Sequence, residues 1–292
     1  IKMSNMILIT GATGALGKAT INSLLEKGHP AQNIIALVRD EAKAADLKAQ
    51  GVIIRTGDYD NYDSLVAALK GAEKVLLVSG SDVVKRGAQH ENVVKAAKAA
   101  GVKHILYTSF HRKNETETSP IAFVAQSHIH TENIIKSSGL AYTILRNNIY
   151  LDMLPAFLGK VLETGVFFPA GDAKSAFASR NDMAEATASV LAGQGHENKE
   201  YYLSNTENIS FSDVADILSS ITGKTISYLN PDSATYQKTL TEAGVPAEYI
   251  GFFAGFAEAA KQGEFTSSYT DLERLLGRKP TSAKEFLTSV YK

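Results

Sequence analysis

The sequence predicts an α/β fold: a Rossmann-type doubly wound parallel sheet, followed by a smaller C-terminal α+β lobe. Three observations point there. The stretch Met6 to Gly17 (MILITGATGALG) is an apolar run that enters three glycines, Gly11, Gly14 and Gly17, and leaves as an amphipathic helix. Short runs of branched apolar residues then alternate with helical stretches, the rhythm of parallel strands joined by crossover helices. Glycines mark the ends of those helices, as at Gly28, Gly51, Gly71, Gly101 and Gly139.

The elements follow in order. Ile21, Leu24 and Leu25 make one apolar face over Lys18 to Lys27. Asn33 to Val38 is a buried strand, with Arg39 and Asp40 directly behind it. Glu41 to Gln50 reads as a helix and Val52 to Arg55 as a third strand that closes on Gly57-Asp58-Tyr59. A helix over Asp63 to Leu69, a strand over Lys74 to Ser79 and a long helix over Val84 to Ala100 come next. His104 to Ser109, Ile121 to Ser138 and Tyr142 to Arg146 complete the alternation as strand, helix and strand. Beyond Asn148 the rhythm weakens. A helix is expected over Leu154 to Glu163, short strands over Val166 to Phe168, Tyr201 to Leu203 and Thr225 to Leu229, and a helix over Ser212 to Ile221 capped by Ser210 or Ser212. Ser233 to Tyr291 is mostly helical, with an exposed-looking run at Ile250-Gly251-Phe252-Phe253. The expected division is a dinucleotide-binding domain over residues 3–150 and a substrate-shaping lobe over 151–292, of which 181–205 returns to the sheet. Ile1 to Asn5 are read as a tail outside the fold.

Bulk properties exclude several classes. A net charge of −1 with 21% charged residues, mixed in sign along the chain, gives no footing for nucleic acid or an anionic membrane. The chain has no cysteine, hence no disulfide, thiolate metal site or thiol nucleophile. No apolar run approaches the ~20 residues of a membrane span. No leader is read before the first strand, and the cytoplasm is the expected location.

The glycine turn makes a phosphate site. Gly11 permits the sharp turn, Gly14 lets backbone approach a pyrophosphate, and Gly17 lets the helix pack close to its strand. The helix N-terminus then offers free N–H groups and the positive end of its dipole. Arg39 selects the coenzyme. An acidic side chain there would take a ribose 2′-OH, whereas a guanidinium pairs with a 2′-phosphate, so NADPH is expected. Asp40 can cap the following helix at the same time. Asp58 either accepts from the adenine amino group or caps a turn, with Asp60 a competing cap. Ser109, ending the fifth strand, is a candidate site hydroxyl or a strand-end hydroxyl bonded to backbone. His128 and Glu132 are spaced to share a helix face; no third ligand has suitable spacing, so no metal is expected, and a solvated contact, a role for His128 at the coenzyme ribose and the acceptor, or simple packing remain. His130 and Tyr107 read as packing residues. Asn147 and Asn148, at the end of the sixth strand, either orient nicotinamide or substrate or make a polar turn, with Asn147 the stronger candidate for the site.

With these residues in view, the chain resembles the NmrA-like branch of the atypical short-chain dehydrogenases, and within it the bacterial NADPH-dependent quinone oxidoreductases and triphenylmethane dye reductases. The matching stretches are TGATGALG (Thr10 to Gly17), ALVRD (Ala36 to Asp40), GDY (Gly57 to Tyr59), AAGVKHILYTS (Ala99 to Ser109), HIHTE (His128 to Glu132), YTILRNNIY (Tyr142 to Tyr150) and GHENKEYYLSN (Gly195 to Asn205). The resemblance implies NADPH held by Gly11, Thr13, Gly14, Ala15, Leu16 and Arg39, with Asp58, Ser79 and Gly80 near adenosine. It puts His128 where some reductases of the wider branch carry a lysine at the nicotinamide ribose, and Asn147 and Tyr150 at the substrate pocket.

One departure sets the chemistry. The Tyr-x-x-x-Lys of short-chain dehydrogenases is absent: Val124 stands four residues before His128, and no tyrosine lies between Tyr107 and Tyr142. Reducing a ketone needs an acid for the developing alkoxide. A quinone or cationic dye accepts hydride at an electron-poor centre and spreads the charge, so alignment and exclusion of water suffice. The expected function is hydride transfer from NADPH to such an acceptor, with His128 and Asn147 as candidate catalytic residues. A non-catalytic NADP(H)-binding redox sensor is the alternative. A nucleotide-sugar epimerase, which relies on the same missing tyrosine, ranks last. A small conjugated acceptor is the expected partner, and a homodimer one expected assembly.

Overall fold

A computed structural model describes residues 5–292. The tail expected over Ile1 to Asn5 thus lies outside the described residues except for Asn5. In chain order the first half runs β1 (Ile7–Ile9), α1 (Ala15–Glu26), β2 (Ile34–Val38), α2 (Ala45–Ala49), β3 (Ile53–Thr56), α3 (Tyr62–Leu69), β4 (Lys74–Leu77), α4 (Arg86–Ala99), β5 (His104–Phe110), α5 (Ala122–Ser137) and β6 (Ala141–Asn147). The rest comprises α6 (Leu154–Leu158), α7 (Val161–Thr164), β7 (Val166–Phe167), α8 (Arg180–Ala192), β8 (Lys199–Leu203), α9 (Phe211–Thr222), β9 (Tyr228–Leu229), α10 (Ser233–Glu242), α11 (Ala247–Lys261), α12 (Asp271–Leu276) and α13 (Ala283–Tyr291).

The expected doubly wound sheet is present, seven-stranded in the order β3-β2-β1-β4-β5-β6-β8. β1 pairs in parallel with β2 and β4, β2 with β3, and β4 with β5. The chain winds outward from β1 to β3, then returns to lay β4 on the other side of β1. The carboxyl ends of β1 and β4 therefore flank the switch point, where sheets of this kind bind ligands. Branched residues hidden on both faces explain why these strands read as continuous apolar runs: all of β2 is buried. Leu8, Ile35, Val75, Leu77, Ile105, Tyr107 and Ile144 share one core with Leu65 and Leu69 of α3 and Val93 and Ala97 of α4. Each such aliphatic side chain contributes ~1.5–3 kcal/mol over its exposed state.

The chain forms two compact units, one of Ile1–Phe110, Gln126–Arg146 and Asn181–Tyr201, the other of His111–Ala125, Asn147–Arg180 and Tyr202–Lys292. The second unit is helical, with a small parallel pair of β7 and β9. Among the described residues no helix is long and apolar enough to cross a membrane.

Several local expectations are corrected. Glu41–Ala44 is a 3-10 turn before α2, because the Asp40 carboxylate accepts the Ala42 N–H and tightens the start. The helix expected over Leu154 to Glu163 breaks at Gly159, whose φ of +54° suits only a residue without Cβ. Ser210 is the cap of α9, in a reciprocal box with Asp213. The strand expected over Thr225 to Leu229 shortens to β9. The run at Ile250 to Phe253 lies within α11; Ile250 and Phe253 are buried, and Phe253 packs edge-on against Phe157 at 5.3 Å.

Candidate functional site

The first unit carries the glycine turn. Gly11 has a φ of +56°, a left-handed conformation that glycine adopts without strain. Its carbonyl accepts the Gly14 N–H at 3.0 Å, which closes the turn. A Cβ on Gly17 would stand 2.3 Å from the Gly11 oxygen and 2.9 Å from its carbonyl carbon. The third glycine is thus required for α1 to leave the turn at this angle. Thr13, Gly14 and Ala15 are exposed, whereas Leu16 is buried and anchors the first turn of the helix. Gly14 is the cap residue, no side chain caps the helix, and its first turn has no acidic residue. Open N–H groups, a positive dipole end and a backbone surface without side chains fit a pyrophosphate.

Arg39 follows β2 and is exposed. Its guanidinium makes no hydrogen bond or ion pair with the described residues, so its donors are open to an anion. Asp40 performs the capping role, with its carboxylate turned to Ala42. Asp58 Oδ1 accepts the Asp60 N–H at 2.8 Å, a turn contact that leaves the second carboxylate oxygen for another donor. Asn61, and not Asp60, caps α3 by accepting the Ser64 N–H.

The β4 end is held from three sides. Val78 N–H donates to Thr10 Oγ1 at 2.9 Å, Ser79 N–H to Thr108 Oγ1 at 2.8 Å and Gly80 N–H to His90 Nε2 at 3.0 Å. Three successive amides are thereby committed to side chains. Thr10 also donates its own N–H to Leu76, which ties the ends of β1 and β4 together across the switch point.

At the ends of β5 and β6 lies a buried ionic cluster. Ser109 Oγ donates to Glu132 Oε2 at 2.5 Å, and Arg146 reaches Glu132 Oε1 at 2.6 Å through one terminal nitrogen and at 3.2 Å through Nε. Arg146 also lies 3.4 Å from Glu200, which pairs with Lys136. Glu132 is 1% exposed, so the solvated contact expected of it is corrected: its partners lie across the sheet end, on β5 and β6. Ser109 bonds this carboxylate, where a backbone partner was the alternative. His128, also buried, has its own partner: Nδ1 stands 2.6 Å from the Tyr107 hydroxyl, and the ring stacks on Phe110 at 6.1 Å between centroids. His130 is a half-exposed surface residue 3.9 Å from Glu91, not a packing residue.

Residues 3–287 match the NmrA-like family. The chain belongs to this family. It is 40% identical to quinone oxidoreductase 2 of Escherichia coli (strain K12) over 287 residues, 98% of this chain and 99% of that protein. The structure of an NADPH-dependent quinone oxidoreductase from Escherichia coli complexed with NADPH superposes with a TM-score of 0.91 at 38% identity, covering 98% of this chain and 100% of that one. Triphenylmethane reductase of Citrobacter sp. complexed with NADP(H) gives a TM-score of 0.90 at 37% identity, over 98% of this chain and 100% of that one.

The second unit holds the remaining candidates. Asn147 is buried; its Nδ2 donates to the Tyr150 hydroxyl at 3.2 Å, and its Oδ1 has no hydrogen-bond partner among the described residues. Burial pushes the Tyr150 phenol up from its ordinary range, and the Arg180 guanidinium lies 5.1 Å over its ring. Asn148 is consumed structurally, donating to Ser204 and Phe265 and accepting from Ile149.

Sequence reasoning missed Thr108, His90 and Thr131 as parts of the site's frame. Their partners lie 29 and 41 residues away, and no local spacing signals such contacts.

Proposed function

We propose that the protein is an NADPH-dependent oxidoreductase that passes hydride to a quinone or a similar conjugated acceptor. The observation that carries this reading is Arg39: an exposed guanidinium without a hydrogen-bond or ion-pair partner among the described residues, standing one strand over from an uncapped glycine turn. A diphosphate and a separate phosphate on the adenosine ribose match those two positions. The full-length likeness to quinone oxidoreductase 2 supports the choice of acceptor.

NADPH, when bound, supplies the hydride, and one proton from the medium balances reduction of the quinone to the hydroquinone. Gly11, Thr13, Gly14, Ala15 and Leu16 hold the diphosphate, and Arg39 holds the 2′-phosphate. Asp58, Ser79 and Gly80 line the adenosine side. Ser109 and His128 belong to the nicotinamide side, and Asn147 with Tyr150 to the acceptor pocket. Ser109 acts there through its carboxylate partner, since its hydroxyl proton is already directed to Glu132. His128, paired with the Tyr107 hydroxyl, is positioned to orient the ribose and to hold a proton for the reduced acceptor. The unpartnered Asn147 Oδ1 accepts a donor of the ligand, which relieves the cost of leaving it buried alone. The cytoplasm, with its supply of NADPH, and a homodimeric assembly complete the reading.

Mixing the protein with NADPH and a small naphthoquinone tests this. Loss of reduced-nicotinamide absorbance that depends on both protein and quinone is expected. Binding of NADPH without turnover across a panel of quinones and cationic dyes would reject the catalytic reading in favour of a coenzyme sensor.

A further inference from the structure

His90 is a group that neither the glycine turn nor the coenzyme cation calls for. It lies in α4, is fully buried, and has both ring nitrogens engaged. Nδ1 is 3.0 Å from Thr131 Oγ1. That hydroxyl directs its own proton to the Ser127 carbonyl at 2.8 Å, so toward His90 it accepts, and Nδ1 carries the ring proton. Nε2 is then a bare lone pair, and it takes the Gly80 N–H at 3.0 Å. The tautomer is fixed at both ends. Burial, and after it the charges of Arg86 and His130, push the imidazole down to about 3, so the acceptor persists at physiological pH.

What this bond holds is the last of the three committed amides at the β4 end. Arg86, itself buried, supports the same turn by donating to the Gly80 carbonyl at 3.3 Å and to Ser127 Oγ at 2.6 Å. A turn with successive N–H groups pointing outward would make an anion nest. Here the N–H groups of Val78, Ser79 and Gly80 point into the protein and the Gly80 carbonyl is taken by Arg86, which leaves the carbonyls of Val78 and Ser79 for a ligand.

We infer that His90 is a positioning residue of the dinucleotide site: its unprotonated Nε2 keeps the Gly80 amide turned inward, so that the β4 end receives hydrogen-bond donors of the nucleoside and gives no foothold to phosphate. This rests on the NADPH reading given above.

The test has two arms. In the ¹⁵N-labelled wild-type protein, His90 is expected as the Nδ1–H tautomer, without titration between about pH 5 and 8, and the Gly80 amide is expected to exchange slowly. An Nε2–H tautomer, or a rapidly exchanging Gly80 amide, would overturn the inference whatever the variants do. In the second arm, His90→Phe keeps a ring against Tyr107 and removes both hydrogen bonds, while the side-chain carbonyl of His90→Gln reaches the place of Nε2. The Phe variant is expected to weaken NADPH about tenfold and to free the Gly80 amide, and the Gln variant to restore affinity to within about threefold with the amide protected again. A folded Phe variant that binds as tightly as wild type, or a Gln variant no better than Phe, would refute the role. Absence of NADPH binding in the wild type would instead overturn the functional reading, while Gly80 exchange still reports on the clamp by itself.

Discussion

The Ser109 hydroxyl donates to Glu132, and the second oxygen of that carboxylate accepts from Arg146 at 2.6 Å. A charge pair this deep offsets its own desolvation only while both partners are present. Glu132→Ala should therefore cost on the order of 3 kcal/mol, softened by Glu200 beside Arg146. Ser109→Ala should cost about 1–2 kcal/mol, because the carboxylate loses one donor. Urea unfolding of both variants measures this; a cost for Glu132→Ala below that of Ser109→Ala would contradict it.

Coenzyme choice is the second expectation. Arg39→Ala should weaken NADPH by more than about tenfold, the scale of a charge-assisted pair, and leave NADH within about twofold. Fluorescence titration with both coenzymes decides. Equal weakening would remove Arg39 from the 2′-phosphate.

Gly17→Ala tests the turn. The new Cβ meets the Gly11 carbonyl at 2.3 Å, and this neighbour is backbone, so the turn itself has to move. A loss of about 1–3 kcal/mol in stability is expected, with weaker NADPH binding. Gly28→Ala is the contrast: among the described residues a Cβ there meets nothing within 4 Å, although its φ of +84° strains the variant. Gly28→Ala should lower stability without reaching NADPH affinity.

Two histidines make a pH prediction. Burial, with the Lys74 charge next, pushes His104 down to about 4, and His90 lies at about 3. The Thr143 hydroxyl donates to the His196 carbonyl, so it accepts from His104 Nε2–H, which fixes the tautomer, while burial keeps the ring neutral. Both folded-state values lie below the ordinary 6.5. The unfolded chain thus binds protons that the folded chain refuses, and stability falls as pH drops below about 6.5, by up to ~1.4 kcal/mol per pH unit for each ring. The fall ends for each ring once its folded value is passed. Denaturation midpoints followed from neutral to acid pH should show this slope, and His104→Gln should reduce it. An unchanged slope would assign acid sensitivity to other groups.

The sheet was legible because its strands are buried on both faces and read as unbroken branched runs, and because glycine is needed at Gly11 and Gly17 by conformation and by contact. Breaks such as Gly159 were not, since a glycine inside a helical pattern is compatible with either outcome. The run at Ile250 to Phe253 looked exposed because a lone α11 shows no partner, whereas Phe157 supplies one from a different stretch of chain. In the site, what lies within one turn could be read: the glycine loop, Arg39 and its neighbour Asp40. Glu132 could not. Its spacing from His128 displayed the helix it sits on, while Ser109 and Arg146, 23 and 14 residues away, determine its state.

Among the described residues Arg39 stands outside every hydrogen-bond and ion-pair network, and this has an evolutionary edge. On the proposed reading, preference between the two cellular pools of reducing power is written in a detachable letter at the sheet's rim. Lineages can rewrite it without renegotiating the architecture beneath.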